Sequence, residues 1–446
     1  MTKLRLLGID DTQMQCEVHI PHDFKFHFDE LRCLVWYHYP LKLLPSDFEC
    51  KNLVCLSMPN SHLTQLWEGN KVWLIYSFFL RGGGGGIICY VHNQVQLFII
   101  TCLLLQVFEN LKYMDLSHSQ YLTETPDFSR VTNLKMLILD GCTQLCKIHP
   151  SLGDLDKLAR LSLKNCINLE HFPGIGQLVS LEDLILSGCS KLEKFPDISQ
   201  HMPCLRKLYL DGTTITELPS SIGYATELVK LDLKDCRKLR SLPSSIGKLT
   251  LLETLSLSGC SDLGKCEVNS GNLDALPRTL EGLCSLQKLK LKNCRSLRAL
   301  PVLPSSLRHI NARNCESLED AGAYGQLLSL GTLILQGCSK LEKFPDISQH
   351  MPCLWKLCLD GTAITELPSS IGYATELVRL GLKNCRKLRS LPSSIGKLTL
   401  LETLSLSGCS DLGKCEVNSG NLDTLPRTLD QLCSLWRLEL QNCRSL

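Results

Sequence analysis

Leucines recur along this chain in the nine-residue pattern L-x-x-L-x-L-x-x-C, in which most x positions are polar. The alternation of apolar and polar residues predicts a short β-strand whose leucines face a core and whose x residues face solvent. The clearest copies begin at Leu134, Leu158, Leu181, Leu228, Leu252, Leu286, Leu330, Leu377, Leu401 and Leu435. From Leu134 to Leu252 successive copies, with a variant at Leu205, lie 23 or 24 residues apart, which indicates a stack of similar structural units.

This spacing lies within the range of leucine-rich repeats. After each strand comes a turn and often the sequence L-P-S-S-I-G, as at residues 218–223. Proline there excludes a central strand and suits an irregular or short helical segment. The sequence therefore predicts an α/β leucine-rich-repeat solenoid, or horseshoe, with a parallel concave β-sheet and an irregular or short-helical convex side. Two longer spacings contain the extra stretch GKCEVNSGNLD, which predicts a loop on the rim.

Cysteine occupies the ninth position of most repeats, which holds 11 of the 25 cysteines in the chain. The eleven are Cys142, Cys166, Cys189, Cys236, Cys260, Cys294, Cys315, Cys338, Cys385, Cys409 and Cys443. We interpret them as small, buried thiols in the turn after each strand, with metal binding or redox chemistry as the alternative. Because the N-terminus lacks a secretory signal and the sequence lacks an N-x-[ST] sequon, we expect a reducing compartment.

One segment interrupts the repeat. The copies at Leu53 and Leu111 lie 58 residues apart, and the excess of 35 residues corresponds to residues 72–106. A membrane span is one interpretation, but polar residues such as His92 lie inside its second half. We favour a translated intron, because removing the segment restores the period. The predicted organisation is degenerate N-terminal repeats over 1–71, a non-repeat insertion over 72–106 and a repeat solenoid over 107–446.

A long internal duplication separates the framework of the repeats from their variable positions. Residues 181–297 recur as 330–446, with 16 differences in 117 residues. Twelve differences fall on the 25 x positions of the five strand motifs, and four fall on the other 92 residues. Exposure alone does not explain this bias, because exposed residues outside the strands barely changed. We therefore predict that the outward strand face is a recognition surface.

The predicted protein-binding residues lie on this face. It contains aromatic and arginine side chains, which are residue types enriched in binding hot spots. Its basic residues predict an acidic protein partner or an acidic flanking domain. The alternative is that these lysines form a solvated face, balanced by acidic residues elsewhere, that binds no partner. The candidate residues are Arg206, Lys207, Tyr209, Lys230, Asp232, Lys234, Lys288, Lys290, Lys292, Trp355, Cys358, Arg379, Lys383, Trp436, Arg437 and Glu439.

We find no motif for catalysis, metal binding or cofactor binding. The nearest approaches to a metal site are Cys142 with Cys146 and His201 with Cys204, and neither pair has the further ligands that a zinc site needs. The sequence therefore predicts a protein that is not an enzyme and holds no cofactor or metal. With 47 basic and 45 acidic residues its charge is balanced, so we expect no nucleic-acid, membrane or small-molecule partner.

Residues 31–69 carry the most specific motif in the chain, and they read LRCLVWYHYPLKLLPSDFECKNLVCLSMPNSHLTQLWEG. This stretch resembles the opening repeats of plant TIR–NB–LRR disease-resistance proteins, which are intracellular immune receptors. The later stretches LILSGCSKLEKFP and LPSSIG are similar to the same family. The resemblance implies effector recognition and autoinhibition of TIR and nucleotide-binding domains. Because this sequence contains neither domain, the resemblance does not imply nucleotide binding or NAD cleavage here.

The repeats and the resemblance together predict a non-catalytic protein-recognition module of an intracellular plant immune receptor. Its expected partners are a pathogen effector, a monitored host protein or the receptor's own upstream domains, in the cytoplasm or the nucleus. Two alternatives stay open: an extracellular leucine-rich-repeat receptor or inhibitor-type protein, and a non-functional truncated gene product. The start MTKLRLLGID resembles an internal stretch of the family's first repeat, so we expect a fragment of a longer protein.

Overall fold

Short parallel strands joined by turns and one-turn helices make up this protein. A computed structural model describes residues 3–9, 28–45, 48, 50–66, 108–265, 276–322, 327–347, 350–413 and 427–443. The chain divides into two compact units, Met1–Leu192 with Ser199–Cys204, and Glu193–Ile198 with Leu205–Leu446. The predicted insertion over 72–106 and most of the two predicted rim loops lie outside the described residues.

The first unit contains seven strands within its described residues, and each pairs in parallel with the next. They are β1 (Leu6–Ile9), β2 (Cys33–Trp36), β3 (Cys55–Ser57), β4 (Tyr113–Asp115), β5 (Met136–Ile138), β6 (Arg160–Ser162) and β7 (Asp183–Ile185). Its 3-10 helices are Phe128–Arg130 and Pro150–Asp154. Because β3 pairs directly with β4, the repeats that begin at Leu53 and Leu111 are neighbours in the sheet.

The second unit continues the same pattern with ten strands among its described residues. They are β8 (Lys207–Tyr209), β9 (Lys230–Asp232), β10 (Thr254–Ser256), β11 (Lys288–Lys290), β12 (His309–Asn311), β13 (Thr332–Ile334), β14 (Lys356–Cys358), β15 (Arg379–Gly381), β16 (Thr403–Ser405) and β17 (Arg437–Glu439). Its 3-10 helices are Ser220–Tyr224, Ser244–Lys248, Arg278–Gly282, Ser369–Tyr373, Ser393–Lys397 and Arg427–Gln431.

The central residue of each strand forms the core, as the L-x-L pattern predicted. In the second unit these residues are Leu208, Leu231, Leu255, Leu289, Ile310, Leu333, Leu357, Leu380, Leu404 and Leu438, aligned in register. All except Leu438 are buried. Since side chains alternate along a strand, the flanking residues lie on the opposite side of the sheet, which we call the strand face. The predicted parallel-strand leucine-rich-repeat solenoid is confirmed.

The segments between strands contain 3-10 helices, and the described part of the chain contains no α-helix. Most of these helices begin directly after a proline, as Ser244–Lys248 does after Pro243, whose φ of −69° suits a helix start. One buried apolar residue, such as Ile246, anchors the turn in the core. A repeat of 23 or 24 residues leaves little room for more than one turn, so the predicted short-helical side consists of single 3-10 turns.

The eighth position of each repeat has a left-handed backbone, which the sequence pattern had shown only as a turn. Asp235, Asn314 and Asn384 have φ near +58°, and Gly259 has φ +84°. Asparagine, aspartate and glycine tolerate this conformation better than other residues. The side chain of Asp235 also fills the space beside the Cα atom of Gly259 in the next repeat. The residue types found at this position are therefore those that the left-handed backbone favours.

The cysteines of the ninth position stack in the core and link neighbouring repeats. The Cys260 thiol donates a hydrogen bond to the carbonyl of Leu233 in the preceding repeat at 3.1 Å, and Cys236 donates likewise to Leu210. Burial raises the pKa of the Cys236 thiol to about 12, so it stays protonated. The twenty cysteines within the described residues are free thiols. This geometry supports the structural interpretation of the series.

Replacement of Cys260 tests what the thiol contributes. Thr213 occupies the same position in its own repeat, where its hydroxyl donates to the Leu210 carbonyl at 2.7 Å. We therefore expect Cys260→Thr to keep a donor in this position, whereas Cys260→Val, which has the shape of threonine, has no donor. The two variants should differ by about 1 kcal/mol in the free energy of local opening, measured by hydrogen exchange of the β9 to β11 amides, because a long repeat array does not unfold in a single step. Equal stability of both variants would mean that Cys260 only fills space.

Candidate protein-binding surface

Two rows of side chains run across the strand face of the second unit. The first row, from the first residue of each strand, is Lys207, Lys230, Thr254, Lys288, His309, Thr332, Lys356, Arg379, Thr403 and Arg437. The second row, from the third residue of each strand, is Tyr209, Asp232, Ser256, Lys290, Asn311, Ile334, Cys358, Gly381, Ser405 and Glu439. These rows contain ten of the sixteen candidate residues.

The other six candidates border these rows. Arg206, Trp355 and Trp436 each precede the first residue of a strand, and Lys234, Lys292 and Lys383 each follow two residues after a strand's last residue. All six are exposed. The structure therefore places the sixteen candidate residues along the strand face of one unit. That they bind a protein stays a prediction.

The two tryptophans are the largest apolar side chains on this surface. Trp436 is 69% exposed and Trp355 is 43% exposed. The indole of Trp355 lies beside Gly331. A Cβ atom added to Gly331 would be 3.4 Å from the Cδ1 and Nε1 atoms of Trp355. The Nε1 atom of Trp436 donates to the Glu402 carboxylate at 3.3 Å. Each indole thus has a neighbour at one edge and is otherwise substantially exposed.

At β17, Glu439 neutralises neighbouring basic residues. Its carboxylate lies 2.7 Å from the Lys383 ammonium and 2.6 Å from the Arg437 guanidinium. The Ser405 hydroxyl donates to the same carboxylate at 2.6 Å. The hydrogen bonds from Lys383, Ser405 and Arg437 lower the pKa of Glu439 to about 2. It is therefore ionised throughout the neutral range, and the network is lost only as the pH falls toward that value.

Tyr209 and Lys230 form a second contact, at the other end of the unit. The Lys230 ammonium lies 4.5 Å from the centroid of the Tyr209 ring and 3.4 Å from its hydroxyl. A cation above an aromatic face is attracted by the ring's quadrupole. In the second copy, Arg379 and Cys358 replace this pair. The same framework therefore presents two different local chemistries at equivalent positions.

Between these two ends, β11 and β12 carry basic side chains. Lys288, Lys290 and Lys292 come from β11 and the residues after it, and no ion pair joins them to the described part of the chain. Sequence reasoning missed two neighbours, Arg308 and Arg313, which flank β12. They lie at x positions of the degenerate repeat at Leu307, outside both copies of the duplication, so the comparison of copies did not reveal them.

Among residues that the structure describes, no three histidine, cysteine or acidic side chains are grouped so that they could hold a metal ion. The described parts of the chain also include no helix with the length and apolar character for crossing a bilayer.

The repeated strand, left-handed turn and buried cysteine define a leucine-rich-repeat protein. A family model for the leucine-rich repeats of RPS4B-like disease resistance proteins matches residues 177–272 and 326–426. A general leucine-rich-repeat model matches residues 52–71. An LRR protein of Leptospira interrogans has a similar fold, with a TM-score of 0.56 and 23% identity over 85% of this chain and 84% of that one.

Similarity to curated proteins identifies the kind of repeat. Disease resistance protein RPS4B of Arabidopsis thaliana is 30% identical over 375 residues, which cover 83% of this chain and 21% of that protein. Protein SUPPRESSOR OF npr1-1, CONSTITUTIVE 1 of the same plant is 40% identical over 64% of this chain and 20% of its own length. The chain carries leucine-rich repeats homologous to those of plant disease resistance proteins, and it spans about a fifth of these relatives.

Proposed function

We propose that this chain is a non-catalytic recognition module of an intracellular plant immune receptor, in the cytoplasm or the nucleus. Its partner is a protein: a pathogen effector, a monitored host protein or the receptor's own upstream domains. Homology to disease resistance proteins supports the receptor class. In this proposal the strand face of the second unit makes the contact, and the leucine and cysteine framework holds that face in place.

The distribution of differences between the duplicated copies carries this proposal. Of 16 differences, 12 lie on x positions of the strand motifs. Six of these align with the two rows of the strand face, five align with the positions that border the rows, and the twelfth, Asp235 against Asn384, lies in the left-handed turn. An exposed tryptophan replaces Arg206 and another replaces Gln287, and tryptophan and arginine are the side chains most often found in binding hot spots. Variation in these positions changes what a partner meets without disturbing the core.

Exchange of the twelve variable residues between the two copies tests the proposal. The exchange would be made in a receptor that carries TIR and nucleotide-binding domains ahead of these repeats, with leaf cell death as the readout. We expect recognition to be lost or the receptor to become autoactive, because each binding position then presents the other copy's side chain.

The duplication supplies a matched control. The four remaining differences, at 214, 275, 281 and 282 and their partners, lie outside the strand motifs. Exchanging these four should leave the response unchanged. An unchanged response after the twelve-residue exchange, with protein levels equal to the parent's, would exclude the strand face as the recognition surface.

A further inference from the structure

We propose that five basic side chains around β11 and β12 form a docking site for a carboxylate-rich segment of a protein partner, which deepens the function proposed above and rests on it. The five residues, named here the basic cluster, are Lys288, Lys290, Lys292, Arg308 and Arg313. All five are exposed. They lie close together, form no ion pair within the described residues and have acidic residues on both sides.

The two strands bring the cluster into a small area. In the parallel register, Lys288 pairs with His309 and Lys290 pairs with Asn311. Neighbouring strands lie about 4.8 Å apart, and alternate residues along one strand lie about 7 Å apart. Three lysines therefore follow one strand, and the two arginines flank the next strand. This area is large enough for a few carboxylates, either consecutive in an extended segment or on one face of a helix.

No ion pair neutralises the cluster within the described residues, although the charge of Arg313 acts on Asp360 and counters the burial that raises the pKa of Asp360. None of the five side chains forms an ion pair or a side-chain hydrogen bond there. On the same face, Glu439 occupies the position equivalent to Lys290 and neutralises Lys383 and Arg437. At equivalent positions of the two copies, the basic side chains that the structure describes are therefore ion-paired at β17 and not ion-paired at β11.

His309 lies within this positive field. Burial, followed by the charges of Lys290, Lys288 and Lys356, lowers the pKa of His309. Its other neighbour in the first row is the uncharged Thr332 on β13. The imidazole is therefore neutral at neutral pH. A bound anion offsets the lysine charges, so binding raises the pKa of His309 and takes up a proton.

The surroundings favour a protein carboxylate over a nucleic acid. Glu253 lies before β10 on one side of the cluster, and Asp360 follows β14 on the other side. A phosphate backbone that continued across the strand face would meet these carboxylates, whereas a short acidic segment bound to the three lysines of β11 ends before them. The nearly balanced charge of the chain, +2, also lacks the basic excess typical of nucleic-acid-binding domains.

Binding of a fluorescent peptide of about ten glutamates to the full chain tests the proposal, measured by anisotropy at about 0.05 M and about 0.3 M salt. The variant K288R/K290E/K292Q installs the side chains that the second copy presents on the same framework. We expect it to weaken binding by on the order of tenfold at low salt. The control K194E/K343Q makes the same change in net charge at exposed residues outside the strand face, and we expect it to bind as the parent does.

Several results would overturn the proposal: no binding of the peptide by the parent chain, no loss in the triple variant, or an equal loss in the control. Tighter binding of a thymidine oligonucleotide of about ten residues, lost in the same variant, would assign the cluster to nucleic acid instead. Equal melting temperatures of parent and triple variant exclude misfolding as the cause. If the triple variant binds the peptide as the parent chain does, while the twelve-residue exchange still abolishes recognition in the receptor, the docking site is excluded and the proposed function stands.

The pH dependence of peptide binding gives an independent prediction. Because binding raises the pKa of His309, affinity should increase as the pH falls from about 8 to about 6. His309→Gln removes this proton uptake, so we expect its affinity to change much less over that range. An identical pH profile for parent and variant would show that no anion binds near His309.

Discussion

Replacing Leu289 by alanine should produce a large loss of stability around the basic cluster. Leu289 is fully buried at the centre of β11, and its two neighbours in the strand are Lys288 and Lys290. Truncating a buried leucine to alanine typically lowers the free energy of unfolding by about 2–5 kcal/mol, because transfer energy is lost and a cavity remains. Hydrogen exchange of the β10 to β12 amides measures this effect locally, as a long repeat array does not unfold in a single step.

The same repeat position offers a matched control. Leu438 is the central residue of β17, and it is 41% exposed. Its truncation removes fewer contacts, so we expect a loss of about 1 kcal/mol. Equal losses for Leu289→Ala and Leu438→Ala would contradict the assignment of the central leucines as a core that positions the strand face.

The period and the L-x-L alternation were sufficient to predict the strands, their parallel order and the buried leucines. Those features depend on local alternation and on the stacking of equal units, both of which are visible in one sequence. The left-handed turn at the eighth position was missed, although the signal was present. Asp235, Asn384 and Gly259 are residue types that favour positive φ, and their recurrence at one position predicts that conformation.

The arrangement of the candidate surface was only partly predictable. The sequence identified the sixteen positions, and the structure places them along one strand face, where eleven are exposed and five are half-buried. The sequence did not reveal that Glu439 would form an ion pair with Lys383. These residues are far apart in sequence and meet only through the register of β15, β16 and β17. The neighbours of Trp355 and His309 were unpredictable for the same reason. Contacts between repeats depend on register and side-chain reach, which an isolated repeat does not encode.

A close approach between two 3-10 turns was also invisible in the sequence, and it leads to a second prediction of large effect. Gly247 lies in the helix Ser244–Lys248, where an added Cβ atom would be 2.5 Å from the Thr279 carbonyl oxygen and 2.8 Å from its Cβ. Backbone cannot move aside as a flexible side chain does. We therefore expect Gly247→Ala to separate the turns and to lower the free energy of unfolding by about 1–3 kcal/mol or more.

Gly153 is the matched control for this substitution, because it holds the same place in the helix Pro150–Asp154 of the first unit. There the nearest atom to an added Cβ is 3.9 Å away, the carbonyl oxygen of Gly174. Gly153→Ala should be neutral or should stabilise by about 0.4–1 kcal/mol, because alanine restricts the unfolded chain. Hydrogen exchange of the amides around each turn measures both effects locally. If Gly247→Ala is as well tolerated as Gly153→Ala, turn-to-turn contact does not require glycine, and the spacing of neighbouring repeats is set by the strands alone.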